Sequence, residues 1–309
     1  MNGKRILITG GAGFVGSQLV KRLCPLGATV TVLDDLFTGQ LDSLAGLEYS
    51  FVLGSVCNQH TVNALARNAD IIFHCAVRCL IASTGDPVTD FETNIGGTLN
   101  VLLAAREFGA KVIYTSSVSI YGNQALIPTP EDSTPDLLTP YAVSKYAGEG
   151  YCKAFGEVYG VPVSVVRLSN CYGPGQDPRN PYCGVVSKFM MSMMRGEPMT
   201  IFGDGEQTRD YTYIDDAVDA IIEAATNPRA VGEVFNVGTD RETSVNQLAE
   251  EIIKLNGSYS RPTYAKNRDI DTVRRRAVNP DKARRVLRWT PKIPLLYGLI
   301  KTYEWIKAQ

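Results

Sequence analysis

The feature that most constrains this chain of 309 residues is a glycine-rich turn near its start. The apolar run Ile6-Leu7-Ile8 leads directly into Gly10-Gly11-Ala12-Gly13-Phe14-Val15-Gly16, where a helical pattern begins. In a strand–turn–helix unit that holds a dinucleotide, Gly10 permits the tight turn, Gly13 lets the backbone approach the phosphates, and Gly16 lets the helix pack closely. The amides at the start of the helix then attract the pyrophosphate, so the motif predicts a dinucleotide site.

Short apolar runs alternate with helical patterns through the first half of the chain. The predicted strands are Ile6–Thr9, Thr29–Leu33, Ile71–Cys75, Val112–Ser116 and Val163–Leu168. The predicted helices are Gly13–Leu26, Asp86–Phe108 and one that starts near Tyr141. Nearly continuous apolar strands are typical of a parallel sheet that is covered on both faces. The alternation predicts a Rossmann-type α/β fold, a doubly wound parallel sheet with right-handed crossovers.

The pattern changes at the turn-rich stretch Gly173–Pro178, which suits a loop leaving the sheet. We expect an NAD-binding Rossmann domain over residues 1–172 and a smaller, discontinuous α/β substrate lobe over 173–309. A segment at about 209–240 is expected to return to the first domain, with Val234–Val237 as its strand. The organisation predicts a cleft between two lobes.

Charge and composition exclude several classes of partner. The formal net charge is −1 and 20% of residues are charged, so nothing draws the whole chain to nucleic acid or to an anionic membrane. No run approaches 18 apolar residues, and the first residues lack the features of a signal peptide, so a cytoplasmic protein without membrane spans is expected. The odd number of cysteines, seven, predicts reduced thiols, and His60 and His74 complete no metal-binding spacing, so no metal site is expected.

Asp34 indicates which dinucleotide binds. It ends the second predicted strand at the spacing of a ribose-binding acid. Its carboxylate can accept hydrogen bonds from both ribose hydroxyls of NAD, and it would repel the 2′-phosphate of NADP. Asp35 adds to that repulsion, and no arginine follows in the next several residues. The cofactor predicted is therefore NAD.

Three further residues can move a proton while a hydride is transferred. Tyr141 and Lys145 are four residues apart and share one face of a helix. A phenol has a pKa of about 10, and a nearby ammonium together with the positive nicotinamide ring would lower it. Ser117 follows a strand, at the carboxyl edge where α/β sheets bind ligands, and can bond the same substrate oxygen.

Together these motifs resemble those of the extended short-chain dehydrogenase/reductase family, in its NAD-dependent nucleotide-sugar epimerase/dehydratase branch. The matching segments are Thr9–Gly16, Leu33–Leu36, His74–Ala76, Asn94–Asn100, Ser116–Gly122, Tyr141–Lys145, Arg167–Pro174 and Gly203–Asp216. The resemblance implies a nucleotide-diphosphate sugar as substrate. It also implies a homodimer that forms through the helices at about Asp86–Phe108 and Tyr141–Gly160. The chain departs from the family pattern at Ser55, where an aspartate is usual.

The resemblance also assigns site residues. It implies catalytic roles for Ser117, Tyr141 and Lys145. It implies cofactor contacts from Gly10, Gly13, Phe14, Val15, Gly16, Asp34, Asp35, Leu36, Thr38, Gly39, Cys75, Ala76, Val77, Asn94, Thr115, Tyr141, Lys145 and Leu168. It implies substrate contacts from Ser117, Ser119, Tyr141, Asn170, Arg209, Arg268, Asp271 and Arg276. Arg274 and Arg275 compete with Arg268 and Arg276 for the diphosphate.

The residues after the catalytic serine bear on the reaction. The family's dehydratases carry Asp-Glu there and its decarboxylases carry Glu, whereas this chain has Val118-Ser119. No second acid or base is evident beside Tyr141, which favours 4-epimerisation. The alternatives are dehydration, 4-keto reduction, an epimerisation restricted to uronic acids, and a non-catalytic NAD-binding sensor.

Overall fold

A parallel sheet forms the centre of the chain in the computed structural model, which describes residues 1–256 and 261–309. Within these residues the strands are β1 Arg5–Thr9, β2 Thr29–Asp34, β3 Ser50–Leu53, β4 Ile71–His74, β5 Lys111–Ser117, β6 Val163–Leu168, β7 Asn170–Tyr172, β8 Thr200–Phe202, β9 Thr208–Arg209, β10 Tyr211–Tyr213, β11 Val234–Val237, β12 Thr243–Ser244 and β13 Thr263–Ala265. The α-helices are α1 Phe14–Leu23, α2 Gln59–Ala66, α3 Leu80–Gly85, α4 Pro87–Asp90, α5 Gly97–Phe108, α6 Pro140–Tyr159, α7 Val185–Met194, α8 Ile214–Thr226, α9 Val245–Asn256, α10 Asp281–Leu287 and α11 Leu295–Lys307.

The central sheet is built from strands of both halves of the sequence. Its order is β11-β6-β5-β4-β1-β2-β3, and every neighbouring pair is parallel. The strand order reverses between β1 and β4, which is the point where open α/β sheets bind ligands at their carboxyl ends. The predicted Rossmann-type doubly wound fold is therefore confirmed.

Strand β1 shows how the sheet is covered on both faces. Ile6 and Ile8 belong to one hydrophobic cluster with Leu19 of α1 and Ile221 of α8, whereas Leu7 belongs to a second cluster, which includes residues of α5 and α6. Successive side chains of a strand point to opposite faces, so an uninterrupted apolar run buries one helix layer on each side. This double burial fixes the end of β1, and the turn that follows it, in the middle of the molecule.

The helix predicted at about Asp86–Phe108 is confirmed, and it contains a wider, π-helical turn. It consists of α4, that turn at Phe91–Gly96, and α5. The side chain of Asp86 accepts hydrogen bonds from the amides of Val88 and Thr89 and so caps α4, which begins at Pro87 because proline is well suited to the first helical position. An additional helix, α3, precedes it.

The second half of the chain packs short two-stranded ladders against helices. The paired strands are β7 with β10, β9 with β12, and β8 with β13. Strand β11 returns to the central sheet beside β6, as predicted. The division into lobes at residue 172 stays a prediction. The seven cysteines are unpaired with one another, and two of them, Cys152 and Cys183, are buried. Among the helices of the described ranges none combines the length and apolar character needed to cross a membrane.

Candidate active site

The glycine turn after β1 leaves backbone groups facing a cavity. Gly10 has a φ of +69°, and a Cβ there would lie 2.6 Å from the amide nitrogen of Ala76. A Cβ on Gly16 would lie 2.1 Å from the carbonyl oxygen of Gly10. Gly13 is the N-cap of α1, which has neither a side-chain cap nor an acidic residue in its first turn. The first amides of α1 are therefore available to an anion.

Asp34 is held at the end of β2 by backbone amides. Its carboxylate accepts hydrogen bonds from the amides of Ala12 and Leu36, each at 2.8 Å, and the residue is 7% exposed. Burial raises the pKa of Asp34, and the two amides oppose that shift. The bonds fix the carboxylate beside the glycine turn, where each oxygen retains a lone pair for a ribose hydroxyl.

A cavity of about 230 Å³ joins the glycine turn to Asp34. The predicted cofactor residues that line it are Gly10, Gly13, Phe14, Val15, Gly16, Asp34, Asp35, Thr38, Cys75, Ala76 and Val77. The predicted residues outside this lining are Leu36, Gly39, Asn94, Thr115, Tyr141, Lys145 and Leu168, of which Tyr141 and Leu168 line the neighbouring cavity. Leu36 and Gly39 nevertheless lie against Asp34, Leu36 through its amide.

The side chain of Asn94 supports the wall of this cavity from behind. Its amide group donates to the carbonyl oxygen of Arg78 and accepts from the amide of the same residue. It also donates to buried Asp90, which accepts from Ser144 of α6. The network ties the segment after β4 to α6.

Ser117, Tyr141 and Lys145 meet at the carboxyl end of β5. Ser117 is the last residue of β5, and its hydroxyl accepts from the amide of Ser119 at 3.1 Å. The Thr139 hydroxyl caps α6 by accepting from the amide of Ala142, so that Tyr141 lies in the first turn of the helix. Tyr141 and Ser117 line one cavity, whereas Lys145, one helical turn after Tyr141, is buried outside that lining.

The pKa values in this cluster follow from burial. Burial raises the pKa of Tyr141, and a hydrogen bond with Ser117 opposes the rise. Burial lowers the pKa of Lys145 to about 8. The predicted lowering of the tyrosine pKa is therefore not seen, because burial dominates it. The Lys145 ammonium donates to the carbonyl oxygen of Thr115 at 2.7 Å.

A buried ion pair supports the end of β5. Glu149 of α6 pairs with Arg167 of β6, and the two side chains are 6% and 7% exposed. Glu149 also accepts from the hydroxyl of Ser116, which precedes Ser117. The pair therefore fastens both strands to the helix that carries Tyr141 and Lys145.

The second cavity, of about 810 Å³, extends from Tyr141 into the C-terminal half. All eight predicted substrate residues line it: Ser117, Ser119, Tyr141, Asn170, Arg209, Arg268, Asp271 and Arg276. The sequence did not distinguish the arginines 274 to 276, and their contacts do. Arg274 pairs with Asp204 and Arg275 with Glu242, both outside the lining, whereas Arg276 faces into the cavity.

Two guanidinium groups lie together in this cavity, and neither is paired with a carboxylate among the described residues. Burial and the neighbouring Arg209 lower the pKa of Arg276 to about 9. Its Nε has no hydrogen-bond partner among the residues that the structure describes. Burial also lowers the pKa of Arg209, whose guanidinium donates to the carbonyl oxygen of Thr208. Such a cluster attracts a group with two negative charges.

The sequence analysis missed several residues of the site. Arg78 lines the first cavity and pairs with Asp35 at 2.7 Å, because the fold brings them together across 43 positions. Tyr182 lines both cavities, and Tyr211 lines the second with a buried hydroxyl that has no partner within the described ranges. The position of Arg78, two residues after the matching segment His74–Ala76, could have marked it as a cofactor-side residue. Nothing in the local sequence marks Tyr182.

This arrangement agrees with the comparison to known proteins. A model described as the NAD dependent epimerase/dehydratase family matches residues 6–238. The chain belongs to this family. NAD is therefore its cofactor, and the cavity fits that group through the uncapped helix start, the glycines that leave no room for side chains, and the anchored Asp34.

Family members that catalyse different reactions are similar to this chain along nearly its whole length. It is 38% identical over 311 residues to a UDP-glucose 4-epimerase of Mycolicibacterium smegmatis, covering 98% of each chain. It is 31% identical over 319 residues to a UDP-N-acetyl-alpha-D-glucosaminuronate decarboxylase of Bacillus cytotoxicus, again covering 98% of each. The crystal structure of a UDP-glucose 4-epimerase of Thermotoga maritima with UDP-glucose has a TM-score of 0.94 and 37% identity, over 98% of this chain and 99% of that one. The chain is thus an enzyme of the nucleotide-sugar epimerase/dehydratase type.

Proposed function

We propose that this chain is a nucleotide-sugar 4-epimerase, which oxidises the sugar C4 hydroxyl to a transient ketone and restores it with the opposite configuration. One observation carries the proposal. Among the described residues that line the substrate cavity, Asp271 is the only one with a carboxylate, and that carboxylate is paired with Arg268 at 2.8 Å. Eliminating water would require an additional acid–base group at the sugar, whereas an epimerase needs one group that removes and returns a single proton.

Tyr141 is that group in our proposal. As a phenolate it accepts the proton of the C4 hydroxyl and becomes a phenol, which later returns that proton to the ketone oxygen. Ser117 donates a hydrogen bond to the same oxygen throughout, from a hydroxyl already oriented by the amide of Ser119. Lys145, one helical turn after Tyr141, supplies a positive charge that the carbonyl of Thr115 holds in place. When bound, NAD supplies the hydride acceptor and donor.

The cationic end of the cavity supports a nucleotide diphosphate as the anchor of the sugar. Arg209 and Arg276 together match the two charges of a diphosphate, which leaves the sugar free to turn about that linkage and present either face. A second candidate is epimerisation restricted to uronic acids. It is favoured by the Nε of Arg276, which has no partner among the described residues, since a guanidinium can also bind a sugar carboxylate.

We also propose a homodimer and the two-lobe division at residue 172. Helix α6 carries apolar side chains that are exposed in the single chain, with Val158 at 69% and Tyr159 at 47%, and Phe91 between α4 and α5 is 60% exposed. A second copy covering these helices would bury them. Sedimentation of a monomer at micromolar concentration would contradict the dimer.

The proposal is tested by incubating the protein with NAD and UDP-, dTDP-, GDP- and CDP-sugars and identifying the products by NMR. An equilibrium mixture of two C4 epimers without net NADH is the expected result. Loss of water or carbon dioxide from the sugar would instead indicate a dehydratase or a decarboxylase.

Tyr141→Phe removes the proposed acid–base group and should lower kcat about 10²- to 10⁴-fold without loss of NAD. Tyr146→Phe, on an exposed tyrosine of the same helix, is the matched control and should retain the wild-type rate. If Tyr141→Phe keeps most of its turnover, the mechanism is wrong.

A further inference from the structure

The segment Gly173–Gly184, here called the strap, separates the two cavities. Three of its residues line both of them: Gln176, Tyr182 and Cys183. A ligand in either cavity therefore contacts the same short piece of chain from opposite sides. The strap is continuous with α7, whose residues Val185, Lys188 and Phe189 also line the substrate cavity.

Aromatic contacts fasten the strap on the cofactor side. Tyr182 stacks on Phe37, with ring centroids 5.5 Å apart and an angle of 27° between the rings. The guanidinium of Arg78 lies 4.1 Å from the centroid of the Phe37 ring and is itself paired with Asp35. The strap is thus attached through Tyr182 to the residues that directly follow Asp34.

Hydrogen bonds add two further attachments. Gln40 donates to the carboxylate of Asp177 at 2.7 Å, and Gln18 of α1 donates to the carbonyl oxygen of Pro174 at 3.2 Å. Towards the substrate side, Ser187 donates to the carbonyl oxygen of Gln176 and Lys188 to that of Pro181, each at 3.0 Å. The strap therefore connects α1 and the β2 end to the first turns of α7.

We propose that the strap couples occupancy of the nucleotide-sugar site to retention of the cofactor, with the Tyr182–Phe37 stack as its fastening contact. A nucleotide that packs against α7 and the strap holds Tyr182 on Phe37. Release of the dinucleotide requires that contact to separate. By linkage the two ligands raise each other's affinity by the same factor. The inference rests on the proposed function only in taking a nucleoside diphosphate as the substrate-side ligand.

Coupling of this kind suits a cofactor that must stay in place through both halves of an epimerisation. If the reduced cofactor left while the sugar was a ketone, the cycle would stop with an oxidised sugar. Because the strap is held most firmly when the substrate site is filled, the barrier to loss is highest at the stage where loss does most harm.

The experiment measures release of NADH without any turnover. Protein loaded with NADH is mixed with excess NAD, and the loss of bound-NADH fluorescence is followed with and without UDP. Four proteins are compared: wild type, Tyr182→Ala, Tyr182→Phe, which keeps the ring, and Tyr297→Ala. Tyr297 is a matched control because it is 50% exposed and lines neither cavity. Thermal unfolding shows that each variant is folded, and calorimetry measures UDP binding separately.

UDP should slow NADH release about tenfold in wild type, Tyr182→Phe and Tyr297→Ala. Tyr182→Ala should release NADH about fivefold faster than wild type, with almost no response to UDP. An equal response to UDP in Tyr182→Ala, or bound UDP that leaves wild-type release unchanged, would overturn the proposal. Failure of UDP to bind would contradict the proposed function instead, and the release rates without UDP would still test whether Tyr182 fastens the strap.

Discussion

In our proposal the two cavities bind diphosphate groups by different means. At the cofactor cavity the anion meets backbone amides at an uncapped helix start, and its arginine, Arg78, is already paired with Asp35. At the substrate cavity the anion meets guanidinium groups, Arg209 and Arg276, which come from distant parts of the sequence. The first site therefore requires glycines, which leave the backbone amides accessible. The second requires the charged side chains of two arginines.

This difference determines how each site can fail. A backbone site is lost when a side chain fills the turn, and it tolerates changes of nearby charge. A guanidinium site keeps its shape when one arginine is shortened, yet it loses affinity in proportion to the charge removed. Predictions that act on one site and leave the other unchanged therefore test the comparison.

The largest effect is expected from Gly16→Ala. The added Cβ would lie 2.1 Å from the carbonyl oxygen of Gly10, so the turn or helix α1 must shift, at a cost of about 3 kcal/mol or more. The purified variant should retain no NAD, measured by absorbance after denaturation, while UDP binding at the separate guanidinium site persists. Gly150→Ala is the control, because a Cβ there meets nothing within 4 Å. Normal NAD content in Gly16→Ala would contradict the backbone site.

Arg276→Met should produce the next largest effect, confined to the substrate side. It removes a charged donor from the anion cluster and should weaken UDP binding about a hundredfold, with NAD affinity unchanged. Calorimetry with each ligand measures both. Arg274→Met is the matched control, since Arg274 pairs with Asp204 away from the cavity, and it should bind UDP normally. Equal losses of UDP affinity in the two variants would contradict the assignment of Arg276, rather than Arg274, to the anion site.

The third and smallest effect is a loss of folding stability in acid, caused by His74 on the cofactor side. His74 is buried at the end of β4 between the hydroxyls of Thr9 and Thr98, and burial lowers its pKa from 6.5 to about 3. Below pH 6.5 the unfolded chain binds a proton that the folded chain excludes, so stability falls as pH decreases. From pH 8 to pH 5 the free energy of unfolding should fall by about 2 kcal/mol through this group.

Urea unfolding at several pH values measures that dependence. His74→Gln should be less stable at pH 8, because the two threonines lose their partner, yet its stability should depend less on pH. His60→Gln, on an exposed histidine, should retain the wild-type dependence. An unchanged slope in His74→Gln would show that other groups control acid stability.

Sequence reasoning succeeded where local spacing determines the structure. The strand, the glycine turn and the helix at Phe14 are adjacent in sequence, and the apolar runs predicted the layers of the sheet. Tyr141 and Lys145 share a helix, so their placement followed from a spacing of four. The same reasoning missed the short helix α3, whose end is set by the capping of α4 at Asp86.

The substrate site was less predictable because tertiary contacts choose among similar residues. Three consecutive arginines differ in sequence only by position. Two of them form ion pairs with Asp204 and Glu242, which lie far away along the chain. The stacking of Tyr182 on Phe37 likewise depends on how the two halves of the chain meet. The pKa of Tyr141 could not be predicted from Lys145 alone, since burial dominates it.

The return of β11 to the sheet also affects synthesis of the chain. Strand β6 pairs with β5 on one side and β11 on the other, and β11 comes more than sixty positions after β6 in the sequence. While the intervening residues leave the ribosome, the backbone groups of β6 form an unpaired edge open to other nascent chains. The segment that builds much of the substrate cavity is thus translated during the interval in which the cofactor half is most prone to aggregate.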